Sequence, residues 1–306
     1  MKVLVTGGHG MLGCHIQDKI WTTDHEGIFI GSKDYDLTSQ FQVRKMFEEI
    51  MPDAVIHAAA RVGGIQENIE HPIEFLEQNI LMNTNVVHEA YKYGVRKLIG
   101  ISSTCVYPDA LPEDYYPLEE SYLHLGPPTP TNFGYAMAKR VMGTQIKLYR
   151  EKYDIDYSTI YACNLYSQYD NFNNEKKAHF ITALIKKIQN CVENKEVVLK
   201  LFGTGKPLRQ FIHASDLADI IMQGLNRILK TDFNVAGDEC HSIREMAEIA
   251  LNVLDKNLIL NFDTLMPDGQ FRKDASNKKM RELFPEFEFI PFANGIESVY
   301  NSVVNE

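Results

Sequence analysis

Lys2-Val3-Leu4-Val5-Thr6-Gly7-Gly8-His9-Gly10-Met11-Leu12-Gly13 is the stretch from which the fold is read. Its first five residues form a short run rich in β-branched side chains, as expected of a buried parallel strand. Glycines then recur three apart, at positions 7, 10 and 13. The first suits a tight turn, the second lets the backbone approach a diphosphate, and the third lets a helix pack closely on the strand. A helix is expected from there to Trp21. A glycine-rich turn without a ligand is the plain alternative, but the strand before it and the helix after it are the context a dinucleotide site requires.

Working outward, residues 27–31 read as a second strand. An acidic residue at the end of that strand usually meets a free ribose 2′-hydroxyl. The chain has Ser32-Lys33 there instead. A hydroxyl and a cation suit a 2′-phosphate, which favours NADP over NAD, and His9 can add a contact. The alternative is that Lys33 is an ordinary surface lysine. Asp36-Leu37 then leads to a helix capped by Thr38 or Ser39. Residues 54–60 are a third strand ending in small residues, Ala59 among them, followed by a flexible loop over 61–68. A long helix is expected from 72 to 93 and a fourth strand over 97–101.

That fourth strand runs into Ser102-Ser103-Thr104-Cys105-Val106-Tyr107-Pro108, which crowds hydroxyls and a thiol at a strand end. The bland reading is turn chemistry. The sharper one is a hydroxyl that polarises a carbonyl and a thiol that moves a proton. Residues 109–130 form a proline- and acid-rich loop in which Glu119 and Glu120 read as solvated. Thr131-Asn132 is a good cap for the helix carrying Tyr135 and Lys139. Four residues apart, these two share one helix face. An ammonium beside a phenol is expected to lower the phenol pKa. A solvated helix face is the ordinary alternative.

Another strand is expected over 156–162, after which the composition changes. Residues 164–178 are polar loop, and 180–188 read as a helix with Lys186 and Lys187 at its far end. A strand over 197–202 leads to a basic glycine loop, Gly203-Thr204-Gly205-Lys206-Pro207-Leu208-Arg209, suited to an anion. A helix over 214–228 and a strand over 232–235 are expected to return to the sheet. The result is an α/β chain with a doubly wound parallel sheet and a smaller C-terminal lobe. The division is 1–163, with about 208–236 returning to it, and 164–306 for the lobe.

Bulk properties narrow the partners. The chain has 306 residues and a formal net charge of −10, which argues against non-specific nucleic-acid or anionic-membrane binding. No apolar run approaches the roughly 18 residues of a membrane span, and Met1 leads directly into a strand, not a signal peptide. Five cysteines without a CxxC pair suggest neither a disulfide framework nor a metal site, and fit a reducing cytoplasm.

The glycine pattern, Ser103 and Tyr135-x-x-x-Lys139, in that order, resemble the extended short-chain dehydrogenase/reductase family, whose sheet is of the Rossmann type. The resemblance covers nearly the whole chain. Its narrower carriers are 60–65, 102–108, Asn164-Leu165-Tyr166 with Asp170-Asn171-Phe172 and His179, 202–205, 209–213 and 267–269. These are similar to the branch of NADPH-dependent 3,5-epimerase/4-reductases acting on GDP-4-keto-6-deoxy-mannose. The resemblance implies that Tyr135 protonates the C4 oxygen, Lys139 holds the nicotinamide ribose and Ser103 hydrogen-bonds the carbonyl. It implies that Cys105 and His179 handle protons at C3 and C5. It places Gly7, Gly10, Met11, Gly13, Ser32, Lys33, Asp36, Leu37, Ala59, Tyr135, Lys139, Asn164 and His179 along the cofactor. Lys187, Arg209 and Lys273 would meet the GDP diphosphate, and Phe202 would stack on the guanine. It also implies a homodimer built on the helices near 72–93 and 132–150.

The chain departs from the family at Ser167-Gln168, at Lys187 and over 173–178. Enzymes acting on another GDP-keto-sugar, of the colitose or heptose kind, therefore stay open. So does a non-catalytic NADP-binding sensor, although both Tyr135 and Lys139 are present.

Overall fold

Alternate residues of the first strand serve opposite cores. In the computed structural model, which describes residues 1–172, 179–266, 268 and 270–304, β1 (Lys2–Thr6) sends Val3 and Val5 to one side and Leu4 to the other. β2 (Glu26–Ile30), β3 (Ala54–His57), β4 (Lys97–Ser103) and β5 (Asp156–Ala162) follow, with Ile56 and Ile99 opposed to Val55 and Leu98. Burial on both faces is why these strands read as continuous apolar runs.

Helices cover each face. α1 (Met11–Ile20) packs Leu12, Ile16 and Ile20 on one side. On the other lie α2 (Gln40–Ile50), then, beyond the short α3 (Ile65–Glu70), the long α4 (Pro72–Lys92) and α5 (Phe133–Tyr153). Ser39 caps α2 by accepting from the Gln42 amide. The smaller part contributes β6 (Asn164–Tyr166), α6 (Phe180–Glu193), β7 (Val198–Phe202), β8 (Leu208–Arg209) and β9 (Phe211–His213). The chain then returns to the sheet through α7 (Ala214–Leu225), on the α1 side, and β10 (Phe233–Val235).

The six strands lie in the order β2-β1-β3-β4-β5-β10, every neighbouring pair parallel. The order reverses at β1, so the crevice above the carboxyl ends of β1 and β3 is where such a sheet takes a nucleotide. β11 (His241–Ser242), α8 (Ile243–Val253) and β12 (Ile259–Asp263) complete a lobe whose own core is Ile181, Ile185, Leu199, Met246 and Ile296. Of the last helices, α9 (Lys278–Leu283) sends Met280 to the sheet core and α10 (Phe292–Val304) sends Ile296 to the lobe core.

The helix expected to end near Ile188 runs on to Glu193, because Ile188 and Cys191 continue its buried stripe. Lys186 and Lys187 are therefore mid-helix, not terminal. Asn132 occupies the position before α5, but its side chain caps nothing. Glu120 is not solvated: its carboxylate accepts from the Asn234 amide at 2.8 Å and faces Lys279 at 3.5 Å. Glu119 is exposed as expected. The divergent segment 173–178, and Pro267 and Gly269, lie outside the described residues. Among the described residues no helix is long and apolar enough to cross a membrane.

Candidate active site

The glycine turn is built for close approach. A Cβ on Gly7, whose φ is +69°, would lie 2.8 Å from the Ala59 nitrogen, and one on Gly13 would lie 2.4 Å from the Gly7 carbonyl. α1 starts at Gly10 without any side-chain cap, so its first N–H groups and dipole point into the crevice. A Cβ on Gly10 would meet only the Gly7 carbonyl, at 3.3 Å. That leaves a cradle matched to a dinucleotide diphosphate. Ser32 and Lys33 are exposed at the carboxyl end of β2, and His9 is 3.7 Å from Asp34. Met11 opens α1. Asp36 is exposed, with Oδ1 accepting from Thr38, whereas the Leu37 side chain is in the core and leaves only its main chain to a ligand.

A buried relay fixes the floor. The Thr6 hydroxyl is 2.7 Å from His57 Nδ1, and His57 Nε2 is 3.0 Å from Asn83 Oδ1. Asn83 Oδ1 can only accept, so Nε2 carries the proton and Thr6 donates to Nδ1. Thr6 Oγ1 also accepts from the Ala59 amide at 3.3 Å. Burial, with the Lys139 charge, pulls His57 down to about 3, so it stays neutral and structural.

Tyr135 and Lys139 lie on α5, one turn apart, beneath the end of β4. Lys139 is 2% exposed and donates to the Ile101 carbonyl at 2.7 Å. Burial lowers its ammonium to about 7. The expectation of a lowered tyrosine pKa is overturned. Burial pushes the Tyr135 phenol well above its ordinary value, and the nearby Cys105 charge adds to the rise. Spacing brings the pair together but leaves both desolvated, and desolvation dominates.

Ser103 ends β4 and accepts from the Cys105 amide at 3.2 Å, presenting Cys105 on a single tight turn. Burial pushes the Cys105 thiol up. The Lys273 ammonium, with hydrogen bonds from Lys273, Ser103 and Asn132, outweighs it and holds the thiol below its ordinary value. Lys273 Nζ is 2.8 Å from Cys105 Sγ. The lysine assigned to a diphosphate thus sits on the thiol. Its segment is pinned through main-chain groups: Leu118 pairs with Ala275, and Gln210 accepts from the Ala275 amide at 2.7 Å while donating to its carbonyl at 3.3 Å.

His179 begins α6 and turns Nδ1 to both Asp170 oxygens, each at 3.1 Å. Thr182 donates to the same carboxylate. Burial pulls His179 down, but the hydrogen bond and charge of Asp170, then the charge of Cys105, raise it above its ordinary value. Tyr135, His179 and Arg209 all sense the Cys105 charge, so these side chains lie near the thiol. Asn164 spans to the Gln210 carbonyl at 2.9 Å. Lys187 and Phe202 form a separate pair, with the ammonium 4.5 Å from the centre of a ring that is 61% exposed.

Sequence reasoning gave Asp170 and Asn132 no chemical role. Asp170 stands in the Asp-Asn-Phe motif, nine residues before His179, and that motif was its signal. Nothing in the sequence marked Asn132 as a neighbour of the thiol.

The model of the NAD dependent epimerase/dehydratase family matches residues 3–236. The chain belongs to that family. It is 37% identical to a GDP-L-fucose synthase of Dictyostelium discoideum, over 96% of this chain and 92% of that protein. It is 35% identical to a probable GDP-L-fucose synthase of Drosophila melanogaster, over 97% and 95%. The crystal structure of a GDP-L-fucose synthetase from Naegleria fowleri bound to NADP superposes with a TM-score of 0.88 at 31% identity, covering 99% and 94%. Family membership accounts for the sheet, the glycine turn and the Tyr135–Lys139 helix. The lobe beyond residue 236, including Lys273, lies outside the matched model.

Proposed function

We propose that this chain is an NADPH-dependent 3,5-epimerase/4-reductase that converts GDP-4-keto-6-deoxy-D-mannose to GDP-L-fucose. The observation that carries this is the pair Cys105 and His179, each with an oppositely charged partner, beside the reductase residues Tyr135 and Ser103. A ketone at C4 acidifies the hydrogens on C3 and C5, and inversion needs a base on one face and an acid on the other. The lowered thiol and raised imidazole favour these roles. Cys105, as thiolate, takes the proton, Ser103 hydrogen-bonds the developing C4 oxygen, and His179, as imidazolium, returns a proton to the opposite face. Proton exchange with solvent then resets thiol and imidazole for the second centre.

NADPH, once bound, supplies the hydride for C4. Tyr135, held protonated by burial, gives its proton to the C4 oxygen, and Lys139 binds the nicotinamide ribose. Gly7, Gly10, Met11, Gly13, Ala59 and Asn164 line the cofactor, with Asp36 and the Leu37 main chain at its adenosine end. Ser32 and Lys33 meet its 2′-phosphate. Phe202 takes the guanine, and Lys187 and Arg209 meet the diphosphate. In this division residues 1–163 and the returning segment hold the cofactor, and the lobe holds the sugar nucleotide.

Incubation with GDP-4-keto-6-deoxy-mannose and NADPH in deuterated water tests the reading. NADPH oxidation with deuterium at C3 and C5 is expected. No oxidation would sink it, and oxidation without deuterium would leave a simple 4-reductase. A panel of other GDP-4-keto-sugars compared by kcat/KM fixes the sugar.

The enzyme is further proposed to be a homodimer. Leu81 on α4 and Val141 and Leu148 on α5 are 47%, 40% and 60% exposed, an unusual apolar load for a helix pair facing water. A monomer mass in sedimentation at micromolar concentration would rule this out. Its cysteines are all free, and a thiol base works only where it stays reduced, which supports the proposal of a cytoplasmic enzyme.

A further inference from the structure

We propose that Lys273 is a positioning residue whose task is to hold Cys105 as the thiolate. The assignment of the thiolate as epimerisation base rests on the function proposed above; the ion pair itself does not.

Geometry carries the inference. Lys273 is 8% exposed, and the Cys105 sulfur 2.8 Å away is its hydrogen-bond partner. Among the described residues it makes no ion pair with a carboxylate; neighbouring Asp274 is taken by Arg272. A buried ammonium needs an anion, and the thiolate is the one at hand. The other groups facing the sulfur agree. Ser103 from the end of β4 and Asn132 from the turn before α5 offer hydrogen bonds. Arg209 from β8 and His179 from the start of α6 bring positive or protonatable groups. Tyr135 from α5 is held neutral by burial. The Asp170 carboxylate is turned to His179 and Thr182. Among the described residues, the cationic and protonatable groups named here favour ionisation, and Lys273 is the one in contact.

A lysine that served the substrate phosphates alone would behave differently. Its loss would weaken GDP-sugar binding at every pH and leave the free thiol unchanged. A lysine that holds the thiolate sets the reactivity of Cys105 before any substrate arrives.

The test is alkylation of the full chain by iodoacetamide across pH, with Cys105 followed by peptide mass spectrometry. In the wild-type protein the Cys105 midpoint is expected below the ordinary thiol value. A midpoint at or above that value would overturn the proposal without any variant. Lys273→Met is expected to move the midpoint up by a unit or more, slowing alkylation at neutral pH roughly tenfold. Lys273→Arg, which keeps the charge, should restore most of it. An unmoved profile in a folded Lys273→Met protein overturns the proposal. If that variant fails to fold, Lys273→Arg and the wild-type profile still decide. None of these readings needs a substrate. Deuterium wash-in, tried separately, should recover at higher pH in Lys273→Met; a wild-type protein that alkylates as expected but exchanges no deuterium would fail the epimerase reading and leave the ion pair standing.

Discussion

Two pairs of candidate acid–base residues lie near one thiol but are governed by opposite physics. Tyr135 and Lys139 come from one helix and one core, and burial sets both: it raises the phenol and lowers the ammonium to about 7, each toward its neutral form. Cys105 is half-buried and the His179 side chain is 43% exposed, and each has a charged partner that outweighs the effect of burial. Neutral forms suit a proton donor that acts once on a C4 oxygen. Charged forms suit a base and an acid that must be ready together. The comparison therefore separates the two halves of the proposed reaction by electrostatic origin.

Removing the donor breaks the first pair most sharply. Tyr135→Phe is expected to lower NADPH oxidation by about 10²–10⁴-fold, while deuterium still enters the sugar, measured by NMR. Cys105→Ser should give the mirror result: exchange falls by a similar factor, again about 10²–10⁴-fold, and hydride transfer to the unepimerised ketone continues. If either variant abolished both activities equally, the separation would be lost.

The charge partners sharpen the comparison at smaller amplitude. Asp170→Asn removes the anion that raises His179, so the imidazolium is lost at lower pH. The alkaline limb of the exchange rate should move down in pH, with a loss of roughly tenfold above neutrality. Lys139 is set by burial instead of by an anion. Burial lowers its ammonium to about 7, so ribose binding through a charged Lys139 should weaken as pH rises through that value, read by NADPH titration. Phe202→Ala should raise KM for the GDP-sugar roughly tenfold, the scale of one lost stacking contact, and leave kcat nearly unchanged. Thr6→Val is the mildest; loss of its hydrogen bond to His57 should cost about 1 kcal/mol, measured by urea unfolding.

The features that were legible in the sequence are those with local causes. The valine-rich run before Gly7 and the spacing of the glycines marked the first strand, turn and helix. Apolar residues at helical spacing marked α4. What stayed hidden depended on distant segments or on depth. Tyr135 and Lys139 were placed correctly on one face, but spacing does not reveal desolvation, so the direction of the phenol shift was misread. Lys273 meets a thiol 168 positions away, and no local pattern announces that contact. Glu120 looked solvated because its partners, Asn234 and Lys279, lie more than a hundred residues along the chain. Asn132 had the residue type of a helix cap, while its position beside the thiol came from the tertiary fold.

The segment carrying Lys273 is held to Leu118 and Gln210 through main-chain groups of Ala275 and its neighbours, whatever side chains flank them. Its route is thus insulated from its chemistry. Mutation at 273 can trade one charge or shape for another while the main-chain anchors of the segment are left alone. A protein organised in this way can explore new sugars by editing a tail, keeping an inherited reductase intact while the companion chemistry drifts.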